Sequence, residues 1–302
     1  YLGARCKLKL IGVDPTADKF REYYEDGISI IPEFFPPKVK IGQKARVITS
    51  IAMFYDLPDP MGFARAVHDK LTDDGIWLFE QSYLPDMLDA NSYDTVCHEH
   101  LEYYAMRQIH WIVAAEGFKI IHLERNNLNG GSIQVIAAKD DSKHRGCLDE
   151  VKKLLLKENA TGINGSRVYS TFRSDVDLMA RDLKNLIGRI NKGDELVLGY
   201  GASTKGNVIL QYCGFTRDDI QCIVDVNKDK YGKLTPGTHI PIVGEVEASH
   251  MKPDYYLVLP WHFKEFILEK EIEFLERGGK FIFPLPELHV VGIEDLPKLK
   301  KK

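Results

Sequence analysis

Apolar runs alternating with stretches of helical period set the plan of this chain. Residues 8–13, 45–52 and 76–79 read as buried parallel strands, and residues 28–31 as a shorter one ended by Pro32. A helix is expected over residues 60–71, with Asp59 as its N-cap and Pro60 at the first helical position. A second should run over residues 107–116 and stop at Gly117. Residues 119–124 and 132–138 read as two strands joined through the turn-rich segment 126–131, an antiparallel pair closing a sheet edge.

The second half repeats the alternation without repeating the sequence. Two helices, 148–159 and 166–190, are separated by Gly162 and Gly165 and bridge the two halves. A new strand over 195–200 leads through a small-residue turn into a helix at 208–213, and further strands follow at 221–224, 255–259 and 280–283. The pattern is α/β, with three parts: a first sheet domain over 1–145, a helical connector over 146–192, and a second small doubly wound unit over 193–302. Leu8 to Asp14 reads as a strand already inside a fold, and Tyr1 has no Met before it, so the chain is expected to lack its natural beginning.

Bulk properties narrow the classes. The 302 residues carry a formal net charge of −4 with both signs interspersed, which argues against a nucleic-acid or membrane surface as main partner. No run is apolar and long enough to span a bilayer, and no secretory signal opens the chain. Five cysteines without a Cys-x-x-Cys pair fit a reduced, cytoplasmic protein without a structural zinc site.

The chemistry concentrates in Cys97-His98-Glu99-His100-Leu101-Glu102-Tyr103-Tyr104, after a sheet strand and the polar run Glu80 to Tyr83. Two imidazoles, two carboxylates and two phenols suit removal of a proton from carbon beside a carbonyl. Alternatives are buried imidazoles satisfied by carboxylates, or a metal site, although the His-Glu-x-x-His spacing of helical zinc sites is absent. Asp14 ends a strand, where an acid either holds a nucleotide ribose or caps the following turn. Phe54 and Tyr55 follow another strand, and either cover an adenine or a methyl donor or pack in the core.

Gly199-Tyr200-Gly201-Ala202-Ser203-Thr204 imitates a dinucleotide fingerprint but has Thr204 at its third glycine. The Gly201 to Gly206 spacing approaches a phosphate loop but puts Asn207 where lysine should stand. Small residues, two hydroxyls, Lys205 and free N–H groups at a helix start still make an anion site. Asp225 ends the next strand at a distance suited to a ribose. Lys228 to Lys233 and Pro236 to Pro241 are charged or turn-rich loops, and Trp261 either stacks a base or belongs to ordinary surface.

In combination these blocks resemble the sugar C-methyltransferase family, S-adenosylmethionine-dependent enzymes acting on nucleotide-linked keto-deoxysugars. The matching blocks are Gly12-Val13-Asp14-Pro15, Glu99-His100 with the tyrosines after it, Asn129-Gly130-Gly131-Ser132, residues 199–207, and Val224-Asp225-Val226-Asn227 through Pro236-Gly237-Thr238. The resemblance implies a zinc-binding domain, an S-adenosylmethionine-binding Rossmann-like sheet and a second Rossmann-like domain. The first of these, with the first strand and Gly-rich loop of the second, is not in this sequence. By the resemblance, Asp14, Phe54 and Tyr55 attend S-adenosylmethionine. His100 is the base, Glu99 fixes its tautomer, and His98 and Tyr104 contact the enolate. Gly201, Ser203, Thr204, Lys205, Asn207 and Asp225 hold the nucleotide diphosphate of the sugar substrate. Cys97 departs from relatives, which often carry Tyr there. No metal is assigned. The alternatives are an NAD(P)-dependent oxidoreductase or epimerase and a non-catalytic nucleotide-sugar-binding fragment.

Overall fold

In the computed structural model, residues 8–38 and 42–296 are described; Cys6 and the Lys-rich end lie outside the described residues. The chain divides into two units. One comprises Tyr1–Gln81, Tyr104–Arg125 and Ile133–Leu156, and the other Ser82–Tyr103, Asn126–Ser132 and Lys157–Lys302. The segments 82–103 and 126–132 therefore cluster with the C-terminal half, although both fall inside the expected first domain of residues 1–145.

The first unit holds two sheets. β1 (Leu10–Val13) and β2 (Ile28–Ile31) form a parallel pair with Leu10 opposite Ile28. β3 (Ala45–Ile51), β4 (Leu71–Ser82), β5 (Phe118–Asn126) and β6 (Ser132–Lys139) form a sheet in the order β3-β4-β6-β5. The expectation of fully buried strands fails at β1, which is half-buried throughout, and at β3. β3 is an edge strand with one neighbour, and Val47 and Ile51 are exposed.

β4 runs far beyond the expected residues 76–79. Its register against β3 passes from Ala45↔Leu71 to Val47↔Ile76, so residues 72–75 bulge out of the ladder. Beyond the bulge, Trp77 and Phe79 are sealed in the core, and the Trp77 indole N–H donates to Ser50 Oγ at 2.9 Å. α1 (Pro60–Lys70) starts as expected: Asp59 accepts the Gly62 N–H at 2.8 Å and Pro60 opens the first turn. α3 (Met106–Ala115) buries Met106, Ile109, Ile112 and Val113 on one stripe. β5 and β6 are neighbours at the sheet edge.

The second unit contains α2 (Leu84–Asp89) and most of its weight lies in a six-stranded sheet. That sheet is built from β7 (Val197–Tyr200), β8 (Ile223–Val224), β9 (Ile242–Val243), β10 (Tyr255–Val258), β11 (Lys280–Phe283) and β12 (His289–Val291). The order is β12-β11-β10-β7-β8-β9; only the β11–β12 pair is antiparallel. The short parallel strands are buried except at Tyr200, the half-buried end of β7, as a covered parallel sheet requires. α4 (Leu148–Thr161) and α5 (Ser166–Lys192) occupy the expected helical stretch. α5 presents Val176, Ala180, Leu183, Ile187 and Ile190 to the second core, a regular three-to-four-residue spacing. α6 (Thr204–Tyr212) follows β7 directly, and α7 (Glu245–His250), α8 (Lys264–Lys270) and α9 (Ile272–Glu276) fill the later connections. Among the described residues no helix is long and apolar enough to cross a membrane.

Candidate active site

The segment between α2 and Tyr103 is a run of tight turns. A 3-10 turn spans Tyr93–Thr95. Thr95 N–H donates to Ser92 at 3.1 Å, Val96 N–H to Tyr93 at 3.0 Å, Cys97 N–H to Thr95 at 3.0 Å and His100 N–H to Cys97 at 3.2 Å. This winding brings the His100 ring back to the Thr95 carbonyl, to which a ring nitrogen donates. Sequence reasoning gave the tautomer-fixing role to Glu99. In the structure the Thr95 carbonyl is the acceptor on the His100 ring, while Glu99 Oε2 lies 3.9 Å from His98 Nε2.

Burial holds the His100 pKa below its ordinary 6.5, the Lys205 charge lowers it further, and Glu99 opposes both. The imidazole is therefore neutral at pH 7, with one nitrogen tied and the other a basic lone pair. Cys97 Sγ, a Glu99 carboxylate oxygen and a His100 ring nitrogen lie within 4.8 Å of one another, a spacing metal ligands also adopt. Burial, followed by the Glu99 charge, pushes the Cys97 thiol up, and Lys205 adds positive charge beside it and His100. The Lys205 charge disfavours a bound cation there. His98 is 87% exposed and belongs to the surface.

The small-residue turn supplies Lys205. Gly201 has φ +84°, and a Cβ there would lie 2.7 Å from Pro260 Cδ; a Cβ on Gly206 would lie 2.7 Å from Leu259 Cβ. Close packing between this turn and the end of β10 accounts for both glycines. Ser203 caps α6 by accepting the Gly206 N–H at 2.9 Å, and Asn207 N–H donates to the Ser203 carbonyl. The N–H groups of Thr204 and Lys205 have no acceptor among the described residues, so the helix start keeps two donors for an anion.

Lys205 Nζ donates to the Asn129 carbonyl at 3.1 Å. Asp225 is placed differently from a ribose acid. Its Oδ1 accepts Asn227 N–H at 2.7 Å, and its Oδ2 accepts Ala202 N–H at 2.8 Å and Lys230 Nζ at 3.0 Å. It anchors the loop, a use the strand-end position did not reveal.

Sequence reasoning also missed a buried polar group in this unit. Asp94 is fully buried, and its Oδ2 accepts the Trp261 indole N–H at 2.8 Å. Trp261 is itself buried, which removes it as a base-stacking surface. Burial keeps the Asp94 carboxyl pKa above the usual range, with Lys205 and the Trp261 hydrogen bond pulling the other way. His262 has its Nδ1 buried without a partner among the described residues, and burial, helped by Lys205, lowers its pKa to about 4. Because the unfolded ring protonates near 6.5, this stability is complete above pH 6.5 and drains away as pH falls toward 4. Thermal melts from pH 7 to 4.5 should therefore fall less steeply for His262→Gln than for the parent; identical slopes would refute the assignment.

In the first unit Asp14 ends β1. Its Oδ1 accepts both the Thr16 N–H and hydroxyl at 2.7 Å, and Oδ2 has no bond to a described residue. The turn-capping reading of Asp14 is thus seen directly, and its second oxygen is left unused by that turn. Phe54 does not fit the donor. It is 1% exposed and packs on Phe63, Trp77, Phe79 and Tyr104 with ring centroids 5.5–6.0 Å apart, so it has no face left for an adenine. Tyr55 and Tyr104 are buried as well, Tyr104 within the same aromatic group. Gln81, near the end of β4, is buried with neither amide atom paired among the described residues.

Residues 127–286 match the model of the C-methyltransferase C-terminal domain, and residues 2–123 match a methyltransferase domain. The C-methyltransferase NovU of Streptomyces niveus is 32% identical over 291 residues, covering 95% of this chain and 69% of NovU. Among solved structures, LepI in complex with SAM aligns with 43% of this chain and 36% of its own, at 14% identity and TM-score 0.37. The N-methyltransferase NodS of Bradyrhizobium japonicum WM9 aligns with 46% of this chain and 78% of its own, at 12% identity and TM-score 0.35. Similarity that slight adds nothing to the functional reading; the extent and identity of the NovU match do. The chain belongs to the C-methyltransferase family, whose members are S-adenosylmethionine-dependent methyltransferases.

Proposed function

We propose that this chain methylates the carbon beside the ketone of a nucleotide-linked keto-deoxysugar, with His100 as the base. The observation that carries this reading is the gathering of Cys97, Glu99 and His100 within 4.8 Å of one another, where burial and the Lys205 charge hold the His100 pKa below its ordinary value. S-adenosylmethionine supplies an electrophilic methyl group, and Asp14 Oδ2 is the group available to hold its ribose.

The hydrogens beside a ketone are acidic because the resulting electron pair delocalises onto oxygen. His100 takes one as a proton, and the enolate carbon forms its new bond to the methyl as the carbon–sulfur bond breaks. The proton on His100 then passes to solvent. Thr204 and Lys205 N–H groups and the Lys205 ammonium receive the diphosphate, while Asp225 and Lys230 keep their loop in shape. Free thiols at Cys97, Cys147, Cys213 and Cys222 support a reducing, cytoplasmic setting.

Deuterium exchange tests the reading without the methyl donor. A nucleoside-diphosphate 4-keto-deoxysugar in D2O should gain deuterium beside its ketone when the protein is added, and gain a methyl group there once S-adenosylmethionine is present. Binding with neither exchange nor methylation would leave a nucleotide-sugar-binding protein instead.

A further inference from the structure

We propose that Asp94 and Trp261 form a positioning pair that sets the catalytic tautomer of His100 through the Thr95 carbonyl, an inference that rests on His100 being the base. The physical path is short. Trp261 Nε1 donates to Asp94 Oδ2 at 2.8 Å across 167 residues of chain, with both side chains buried. Asp94 sits in the middle of the 3-10 turn Tyr93–Thr95, so fixing its carboxylate fixes the plane of the next peptide. One peptide further on in the same turn, the Thr95 carbonyl accepts the Cys97 N–H at 3.0 Å and faces the His100 ring. A rotation of the turn would therefore move the acceptor that decides which ring nitrogen carries the proton.

Neighbouring features support the pair being held for geometry. Gly130 (φ +89°) lies flat against the Trp261 ring; a Cβ there would come within 3.1 Å of Cζ2 and Cη2. The adjoining Asn129 carbonyl receives Lys205, so the same wall that seats the indole also seats the cation beside His100. Asp94 Oδ1 has no hydrogen-bond partner among the described residues, and burying a half-satisfied carboxyl costs stability. A group kept for stability alone would be better replaced by an apolar one.

The test pairs Trp261→Phe, which keeps an aromatic ring but deletes the N–H, with Asp94→Ala and Asp94→Asn. Asparagine keeps an oxygen acceptor for the indole. Deuterium exchange at saturating substrate should fall on the order of 10- to 100-fold in Trp261→Phe and Asp94→Ala, with KM within about twofold. Asp94→Asn should recover most of that loss.

The second readout is the ¹H–¹⁵N correlation of the His100 imidazole, assigned with His100→Ala. It should show one tautomer in the parent and a mixture in Trp261→Phe. An unchanged tautomer with unchanged exchange in folded Trp261→Phe would overturn the proposal. So would Asp94→Asn losing as much as Asp94→Ala. Should the parent show no exchange, the base assignment fails, while the tautomer measurement still decides whether the pair orients the ring. Should Asp94→Ala fail to fold, Trp261→Phe decides alone.

Discussion

Replacing His100 by Ala is expected to lower exchange and methyl transfer by about 10²- to 10⁴-fold, the usual scale of general-base help. KM should stay near the parent value, because the anion-binding groups lie on a different segment, at the start of α6. The fold should survive: the ring is half-buried, its main-chain N–H keeps its bond to Cys97, and the turns before it do not need the imidazole. The pH profile gives the sign. Burial and Lys205 place the His100 pKa below 6.5, so the parent's rate should already be level near neutrality and fall only on the acid side. That limb should be missing from the residual activity of the variant. Glu99→Gln should lose far less, since the acceptor on the His100 ring is the Thr95 carbonyl and not Glu99. Unchanged exchange in a folded His100→Ala protein would end the role assigned to this residue.

Local rules were legible in the chain wherever one segment decides its own conformation. Asp59 and Pro60 announced α1, Gly117 the end of α3, and the spacing from Val176 to Ile190 the buried stripe of α5. The bulge in β4 hid behind Thr72-Asp73-Asp74-Gly75, which reads as a turn; the strand continues because Asp73 and Asp74 point outward and pair with Lys139 and Lys143. What escaped depends on contacts between distant parts of the chain. Asp94 looks like an ordinary surface acid until Trp261 arrives, and Phe54 has the same sequence context whether it lines a cleft or fills a core. The assignment of residues 82–103 to the C-terminal unit has the same origin, with Tyr93 packed on Tyr212 at a 5.2 Å ring separation. Sequence showed where titratable groups gather, at Cys97 to His100, but not the Thr95 carbonyl beside them, because a backbone carbonyl has no letter.

Asp225→Ala should destabilise the protein by about 2–4 kcal/mol, and this separates a loop anchor from a ribose ligand. The buried carboxylate accepts from two backbone N–H groups, those of Ala202 and Asn227, and from Lys230. Lys230 in turn donates to the Ala202 carbonyl at 2.8 Å, so both backbone polar groups of Ala202 depend on the pair. Removing the carboxylate strands two donors in a buried place and leaves an ammonium facing a cavity. The partial exposure of Lys230 holds the cost below that of a fully buried broken ion pair. Asp225→Asn should fall between, since one amide oxygen still accepts while the NH2 now faces a donor. Urea or thermal unfolding measures the loss directly. Nucleotide-sugar binding should weaken in parallel, because Ser203, Thr204 and Lys205 follow the peptide that Asp225 fixes. A ribose ligand would behave otherwise: its removal would weaken binding and leave the unfolding transition where it was.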